Sequence, residues 1–336
     1  MNGINKPAYP LITVAIPSYN HEKYVEGAIR SVLEQDYPRI ELIIVDDGSL
    51  DKTWETVISL LSECEDKVER VVCCRNESNK GTCETFNRLC ENANGDFFIP
   101  LASDDLLLPG ALKALSEPMM ENLDIGVVVG QNQIIDSQGR KCYWDKNRNN
   151  VYSEDSASYL TFNDYLRIQT GVKDDSPSFG TYHALLQKNH IANGCLIRSS
   201  VLKQVLPFTK SAPLEDYWLH LQLSKRCRYV SIPNETFCYR WHACNTIKQT
   251  SRICYLMHKT MLYESNLVQN DIRWNEIFNQ VVDQKNEIFS LFRFLSICRI
   301  QNFKESWIEL SIGSIRLRVR HHKVIVDEQN QLAFWS

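Results

Sequence analysis

Four short apolar segments begin 28 or 29 residues apart in the first third of the chain, at residues 11–16, 40–45, 68–73 and 96–101. Each is rich in β-branched or aromatic residues, which is typical of buried strands. Apolar residues at helical spacing lie between them, as in Tyr24, Val25, Ala28, Ile29, Val32 and Leu33. This alternation predicts three helices packed on a mostly parallel sheet, and therefore an α/β fold.

Local signals refine the predicted elements. Asn20 stands where it would cap the first helix, and Pro109 stands at the expected first position of the helix after the fourth strand. Residues 125–135 predict a further strand that ends in a turn at 136–139.

Composition limits the classes of protein to consider. The chain has 336 residues, which suggests two domains or one α/β domain with a long appendage. Its 37 Lys and Arg against 41 Asp and Glu give a net charge of -4, which argues against a nucleic-acid-wrapping protein. We find no apolar run of about 18 residues and no apolar signal segment in residues 1–10, so we expect a cytoplasmic protein. The 12 cysteines include no CxxC pair, so we expect reduced thiols.

Polar loops follow the four predicted strands, at residues 17–20, 46–49, 76–81 and 102–105. In open α/β sheets, ligands bind beyond the carboxyl ends of the strands, so these loops should form the site. Two of them contain adjacent aspartates, Asp46-Asp47 and Asp104-Asp105. Such a pair can simply be part of a turn, but at Asp104-Asp105 it also suits a divalent metal.

The ordered set of motifs resembles glycosyltransferase family 2. The motifs are VAIPSYN at 14–20, ELIIVDDGS at 41–49 with Asp51, NKG at 79–81, NGD at 94–96 and LASDD at 101–105. Looser matches follow at 193–202, 214–218, 239–242 and 245–246. The dinucleotide fingerprint GxGxxG and the phosphate loop GxxxxGK[ST] are both absent, which argues against dehydrogenases and P-loop NTPases.

The resemblance implies a GT-A fold over residues 1–250, with a nucleotide-sugar half at 1–110 and an acceptor half at 111–250. It implies transfer of a hexose or N-acetylhexosamine, with inversion, from a UDP-sugar to a sugar acceptor. We expect a lipid-diphosphate-linked acceptor, in the synthesis of a surface polysaccharide such as O-antigen or capsule. The sugar, the linkage and the oligomeric state are left open.

The resemblance also implies roles for particular residues. Tyr19, the Pro17 backbone and Asp46 would contact the nucleoside, and Lys80 the base or the phosphates. Asp104 would face ribose or metal, and Asp105 would hold Mn²⁺ or Mg²⁺, which neutralises the leaving diphosphate. His242 would complete the metal or diphosphate site, with Arg240 as a weaker phosphate candidate. Ala102 stands where members of the family often have another Asp, so the metal site could depend on Asp105 alone.

A carboxylate must accept the proton of the attacking hydroxyl in an inverting transfer. We assign this role to Asp216, with Glu215 holding it or the acceptor. The alternative is that both acids only favour the start of a helix begun by Pro213. Asp174-Asp175 is expected to be a solvated loop.

The C-terminal extension, residues 251–336, is expected to be mostly helical and basic. Residues 290–325 contain seven Lys and Arg against two Glu, a balance of +5 that leaves -9 for the rest. They predict either a basic amphipathic segment on an anionic membrane surface or a core-packing helix with a solvated face. Rival functions for the whole chain are a sugar-1-phosphate nucleotidyltransferase and a non-catalytic carbohydrate-binding protein.

Overall fold

A computed structural model describes residues 9–284 and three short stretches, 299–304, 307–312 and 315–320. Its main sheet has ten strands. They are β1 Ile12–Ser18, β2 Ile40–Asp46, β3 Arg70–Arg75, β4 Phe97–Pro100, β5 Leu106–Leu107, β6 Ile125–Asp136, β7 Lys141–Trp144, β8 Asn150–Val151, β9 Leu196–Arg198 and β10 Arg228–Trp241.

The strand order is β3-β2-β1-β4-β9-β6-β10-β5, with β7 and β8 extending from β6. Strands β1 to β4 run parallel to one another, and β6 runs parallel to β10, while β9 runs antiparallel between β4 and β6. The predicted mostly parallel sheet is therefore confirmed.

The described helices are α1 Val25–Leu33, α2 Thr53–Ser59, α3 Leu61–Lys67, α4 Thr82–Asn92, α5 Ala111–Glu121, α6 Phe162–Thr170, α7 Tyr182–Gln187, α8 Ser199–Leu202, α9 Glu215–Leu223, α10 Thr250–Val268 and α11 Ile272–Gln284. Alternate residues of the central strands pack into two apolar clusters. Val14 and Ile16 join one cluster, while Ala15 joins the other. Helices therefore cover both faces of the sheet.

Both predicted helix starts are wrong. Asn20 has φ 54° and its side-chain oxygen accepts the Leu50 N–H at 2.8 Å, so it joins two loops instead of capping α1. Helix α5 begins at Ala111 after Gly110, whose φ of +76° suits glycine, and Pro109 lies in the preceding turn.

A buried carboxylate joins the amino ends of the central strands. Glu41 on β2 is fully buried, and its Oε2 accepts the Thr13 hydroxyl at 2.5 Å and the Asn94 N–H at 2.8 Å. Arg70 on β3 forms an ion pair with Oε1 of the same carboxylate. Glu41 therefore fixes three strands at the edge opposite the polar loops.

The C-terminal extension is only partly helical. It contains α10 and α11, followed by an antiparallel sheet of β11 Arg299–Lys304, β12 Trp307–Ile312 and β13 Ile315–Arg320. The expectation of a helix over 290–325 is therefore wrong for these strands, whose alternation in Ile315–Arg320 has a period of two. The remainder of that segment lies outside the described residues. Within the described part, no helix is both long and apolar enough to cross a bilayer.

Candidate active site

The loops after β1, β2, β3 and β4 meet at the carboxyl edge of the sheet. Asp46, paired in register with Ser18, is fully buried at the end of β2. Its carboxylate accepts the Ser49 hydroxyl and the Ser49 N–H, the latter at 3.1 Å, and forms an ion pair with Arg75 at 3.2 Å. Asp46 thus stabilises the turn that follows β2. Ser49 and Arg75 already contact both of its carboxylate oxygens, which are the atoms expected from the sequence to bind the nucleoside.

Asp47, to which the sequence analysis assigned no separate role, holds the third loop. One carboxylate oxygen accepts Asn76 Nδ2 at 2.7 Å and the Lys80 N–H at 2.8 Å, and the other accepts the Gly81 N–H at 2.9 Å. The loop also lies against Gly48, where an added Cβ would stand 2.7 Å from the Ser78 carbonyl carbon. This tight turn fixes the backbone that carries Lys80.

The expected nucleoside contacts lie at the surface of this edge. Tyr19 is exposed directly after β1, Pro17 lies half-buried inside the strand, and the Lys80 side chain is exposed. Their placement suits a base that packs on Tyr19 with a cation nearby.

Asp104 and His242, which the resemblance assigned to one site, are in direct contact. His242 Nε2 lies 2.9 Å from Asp104 Oδ2, although the two residues are 138 positions apart. Burial disfavours the Asp104 carboxylate, but the hydrogen bond from His242 and the nearby His21 more than offset this and lower its pKa. Tyr24 stacks on His242 at 5.2 Å, and His21 bonds Ser103 at 2.8 Å. Imidazole, carboxylate and an aromatic wall are therefore brought together.

Asp105 has a different environment from its neighbour. It is buried, and its Oδ1 accepts the Arg240 N–H at 2.8 Å. Burial, followed by the charge of Asp104, raises the pKa of Asp105 well above its ordinary value. The two aspartates of the loop therefore differ in their surroundings, since Asp104 meets an imidazole and Asp105 is bound to the backbone of β10.

Arg240 is held by the backbone. Its Nε donates to the Asp104 carbonyl at 2.6 Å, one terminal nitrogen donates to the Asp136 carbonyl at 3.2 Å, and the guanidinium lies over Tyr24 at 4.9 Å. These contacts join β10 to the Asp104 loop.

A divalent cation fits Asp104 and His242 by the chemistry of the donors, since oxygen and imidazole ligands suit Mn²⁺. No group of three or more His, Cys, Asp or Glu side chains suited to a metal occurs among the described residues, so other ligands would come from diphosphate and water. His242 Nδ1 now accepts the Cys244 N–H at 3.2 Å. Metal binding at Nε2 would therefore require the imidazole proton to move to Nδ1 and the Cys244 N–H to turn away.

Glu215 and Asp216 occupy the first turn of α9, where the alternative interpretation placed them, although the helix begins at Glu215 and not at Pro213. Glu215 is half-buried, and Asp216 reaches solvent. Burial, and then the charge of Asp216, raises the pKa of Glu215 to about 8. Burial also raises the pKa of Asp216, against the opposing effect of the Tyr217 N–H, which donates to it at 2.6 Å.

Two side chains connect this pair to the rest of the site. Burial and then the charges of Asp105, Asp104 and Asp216 raise the pKa of Tyr239. Burial and then the charge of Glu215 raise the pKa of Cys83, which begins the helix after the Lys80 loop. The acid pair therefore lies beside the polar loops.

One expected loop acid has a structural role. Asp174 accepts from Arg167 and from Gln131, each at 2.8 Å, so the expectation of a merely solvated pair is wrong for Asp174. His21, Tyr24 and Ser103 were missed because their residue types carry no signal until the fold brings them to His242 and Asp104.

A family model, "Glycosyl transferase family 2", matches residues 13–186. An "uncharacterized glycosyltransferase" of Haemophilus influenzae is 37% identical over 113 residues, which cover 34% of this chain and 44% of the relative. A "putative teichuronic acid biosynthesis glycosyltransferase", TuaG of Bacillus subtilis, is 38% identical over 112 residues, which cover 33% and 43%. The matched segments thus span less than half of these relatives.

Two solved structures are similar in fold. TarS of S. aureus, residues 1–349 in complex with UDP-GlcNAc, has a TM-score of 0.58 at 16% identity, with 84% of this chain and 75% of that chain covered. The mannosyltransferase PcManGT of Pyrobaculum calidifontis, in complex with GDP-Man and Mn²⁺, has a TM-score of 0.54 at 14% identity, with 83% and 75% covered.

Proposed function

Because this chain belongs to glycosyltransferase family 2, whose model matches residues 13–186 of 336, we propose that it transfers a sugar from a UDP-sugar to a glycan acceptor with inversion. The chain has the GT-A fold. The observation that carries the proposal is the contact between Asp104 and His242, whose Oδ2 and Nε2 atoms lie 2.9 Å apart at the carboxyl edge of the sheet, where the loops that carry Tyr19 and Lys80 also meet.

In the proposed reaction, Asp216 accepts the proton of the acceptor hydroxyl as that oxygen attacks the anomeric carbon and the bond to the diphosphate breaks. The neighbouring Glu215, whose pKa is raised to about 8, remains protonated near neutral pH and donates a hydrogen bond to the acceptor or to Asp216. Each acid thereby has one role.

Asp104 and His242 would hold the divalent cation, which neutralises the leaving diphosphate when bound. Lys80 supplies an exposed positive charge at the carboxyl edge of the sheet. Arg240 keeps the Asp104 loop in place by donating to the Asp104 carbonyl. The complexes of the two similar folds, with UDP-GlcNAc and with GDP-Man and Mn²⁺, support a nucleotide-sugar donor and a metal.

For the acceptor, we propose a lipid-diphosphate-linked sugar in surface polysaccharide synthesis. The teichuronic acid assignment of TuaG, a relative over one third of this chain, supports a cell-surface polymer.

The direct test incubates the full chain with Mn²⁺, a panel of UDP-sugars and a lipid-diphosphate-sugar acceptor, followed by product mass measurement. We expect an acceptor mass increase of one sugar with one donor. GDP-mannose serves as the control donor. Donor binding with no transfer or hydrolysis of any donor would favour the carbohydrate-binding alternative, and formation of a nucleotide-sugar from sugar-1-phosphate and UTP would favour the nucleotidyltransferase.

A further inference from the structure

We propose that α10, in the extension beyond the family-matched segment, positions the catalytic acid pair through Thr260 and Glu264. The inference rests on the proposed function, because it gives the roles of Glu215 and Asp216 their structural support. Thr260 and Glu264 are fully buried and lie four residues apart, so they share one face of α10.

Thr260 holds the beginning of α9. Its hydroxyl accepts the Leu214 N–H at 3.0 Å, and Leu214 directly precedes Glu215. The first N–H groups of a helix lack partners within the helix, and no side chain of the Leu214 cap position supplies one here. A residue of another helix therefore fixes the backbone next to the acid pair.

Glu264 holds the other end of α9. Its Oε2 accepts Gln222 Nε2 at 2.6 Å, and Lys225, just after the helix, forms an ion pair with Oε1. The Tyr182 hydroxyl of α7 donates to the same Oε1 at 2.6 Å. The Lys225 side chain is itself almost fully buried, so this pair is shielded from solvent.

A third contact completes the support. The Tyr217 hydroxyl, one residue after Asp216, donates to the Leu185 carbonyl of α7 at 2.7 Å. Helix α9 is thus fixed at its start, its end and one side by buried polar contacts. Since a displacement of about 1 Å can lower a rate about 100-fold, loss of the Thr260 contact should affect turnover although Thr260 touches no substrate.

The first test compares Thr260→Val, which removes the acceptor oxygen, with Thr260→Ser, which keeps it. We expect Thr260→Val to lower kcat at least about tenfold, with an unchanged Kd for UDP and a shifted acid limb in the pH profile of kcat/KM. Thr260→Ser should restore both. A Thr260→Val variant with lower Tm but normal kcat and pH profile would overturn the proposal, because a purely structural role would give that result.

The second test applies if the Thr260→Val variant fails to fold. The paired change Glu264→Gln with Lys225→Met removes the ion pair without leaving either charge buried alone. We expect a lower kcat, a shifted pH profile and unchanged UDP binding, while normal kinetics would overturn the role of Glu264. Asp216→Asn is measured in parallel. Normal turnover there would refute the proposed base, whereas normal turnover only in the α10 variants would refute the positioning role.

Discussion

Asp104 and Asp105 show how far identical neighbours can differ in environment. Asp104 meets the imidazole of His242, whereas Asp105 is buried against the backbone of Arg240. The sequence could place both in a site loop but could not rank them, because the distinction depends on β10, more than 130 residues later in the chain. Sequence reasoning chose Asp105 as metal ligand, and the geometry leads us to propose Asp104.

This assignment predicts that replacement by asparagine lowers activity much more at Asp104 than at Asp105. Asp104→Asn should lower kcat/KM at least about 100-fold and abolish the dependence of activity on added Mn²⁺, since the metal contributes several kcal/mol to stabilising the leaving group. Asp105→Asn retains an oxygen that accepts the Arg240 N–H and should lose about tenfold or less. Steady-state rates across a Mn²⁺ titration measure both. Equal loss in the two variants would contradict the assignment.

Asp216→Asn should leave UDP affinity intact and lower turnover by roughly 10²–10⁴-fold, because it keeps the shape and removes the proton acceptor. In the unmodified protein, kcat/KM should fall as the pH falls through the raised pKa of Asp216. That acid limb should vanish from the residual rate of the variant. Glu215→Gln is the matched control and should cost less. A retained acid limb in Asp216→Asn would assign it to another group.

Glu215 of the same acid pair makes the free energy of unfolding depend on pH. The pKa of Glu215 is raised to about 8 in the folded state, so the folded protein binds more protons than the unfolded chain between pH 4.5 and that value. Its contribution to the free energy of unfolding is therefore present at lower pH and is lost as the pH rises through this range. Glu215→Gln should reduce this decline.

At the scale of elements, the sequence was most successful where local pattern and burial agree. The four predicted strands begin within two residues of β1 to β4. Both the regular spacing of these segments and their hydrophobicity follow from a sheet that is buried on two faces. The two predicted helix starts were wrong because Asn20 accepts the Leu50 N–H from another loop, and because α5 begins after Gly110, which leaves Pro109 in the preceding turn. Contacts between loops leave no such local pattern.

Glu41 offers a prediction at this scale. Glu41→Leu would leave Arg70, the Thr13 hydroxyl and the Asn94 N–H without their carboxylate, so we expect a loss of about 3 kcal/mol in the free energy of unfolding. Chemical denaturation with unchanged m-value would measure it. The matched control is Glu69→Leu, which removes only an exposed partner of Arg39 and should cost much less. Equal losses would show that the buried network contributes nothing.

For the whole molecule, the sequence located the basic C-terminal segment but misjudged its secondary structure. Arg316, Arg318 and Arg320 occupy alternate positions of β13, a strand period that a search for amphipathic helices overlooks. The polarised charge, +5 over residues 290–325 against -9 elsewhere, does not depend on that secondary structure. The hypothesis that this segment contacts an anionic membrane to reach a lipid-linked acceptor, one of the two alternatives that the sequence left open, therefore rests on charge.

Replacing Arg316, Arg318 and Arg320 by Ser should release the full chain from phosphatidylglycerol vesicles, as each charge near such a surface contributes about 1 kcal/mol. Sedimentation at low and high salt measures the effect, which should weaken as salt rises. Lys113→Ser with Lys146→Ser and Lys23→Ser is the charge-matched control, in the main domain, and should bind normally. Absence of binding by the unmodified protein at low salt would refute the membrane contact.

The way Asp47 holds the loop after β3 has a consequence for protein engineering. Two of its three hydrogen bonds go to main-chain N–H groups, those of Lys80 and Gly81. The intervening side chains of Glu77, Ser78 and Asn79 are exposed. A combinatorial library at 77–79, with Asp47, Asn76 and Gly81 retained, should therefore keep the loop conformation while its chemistry varies. It gives directed evolution a defined place to retune donor preference.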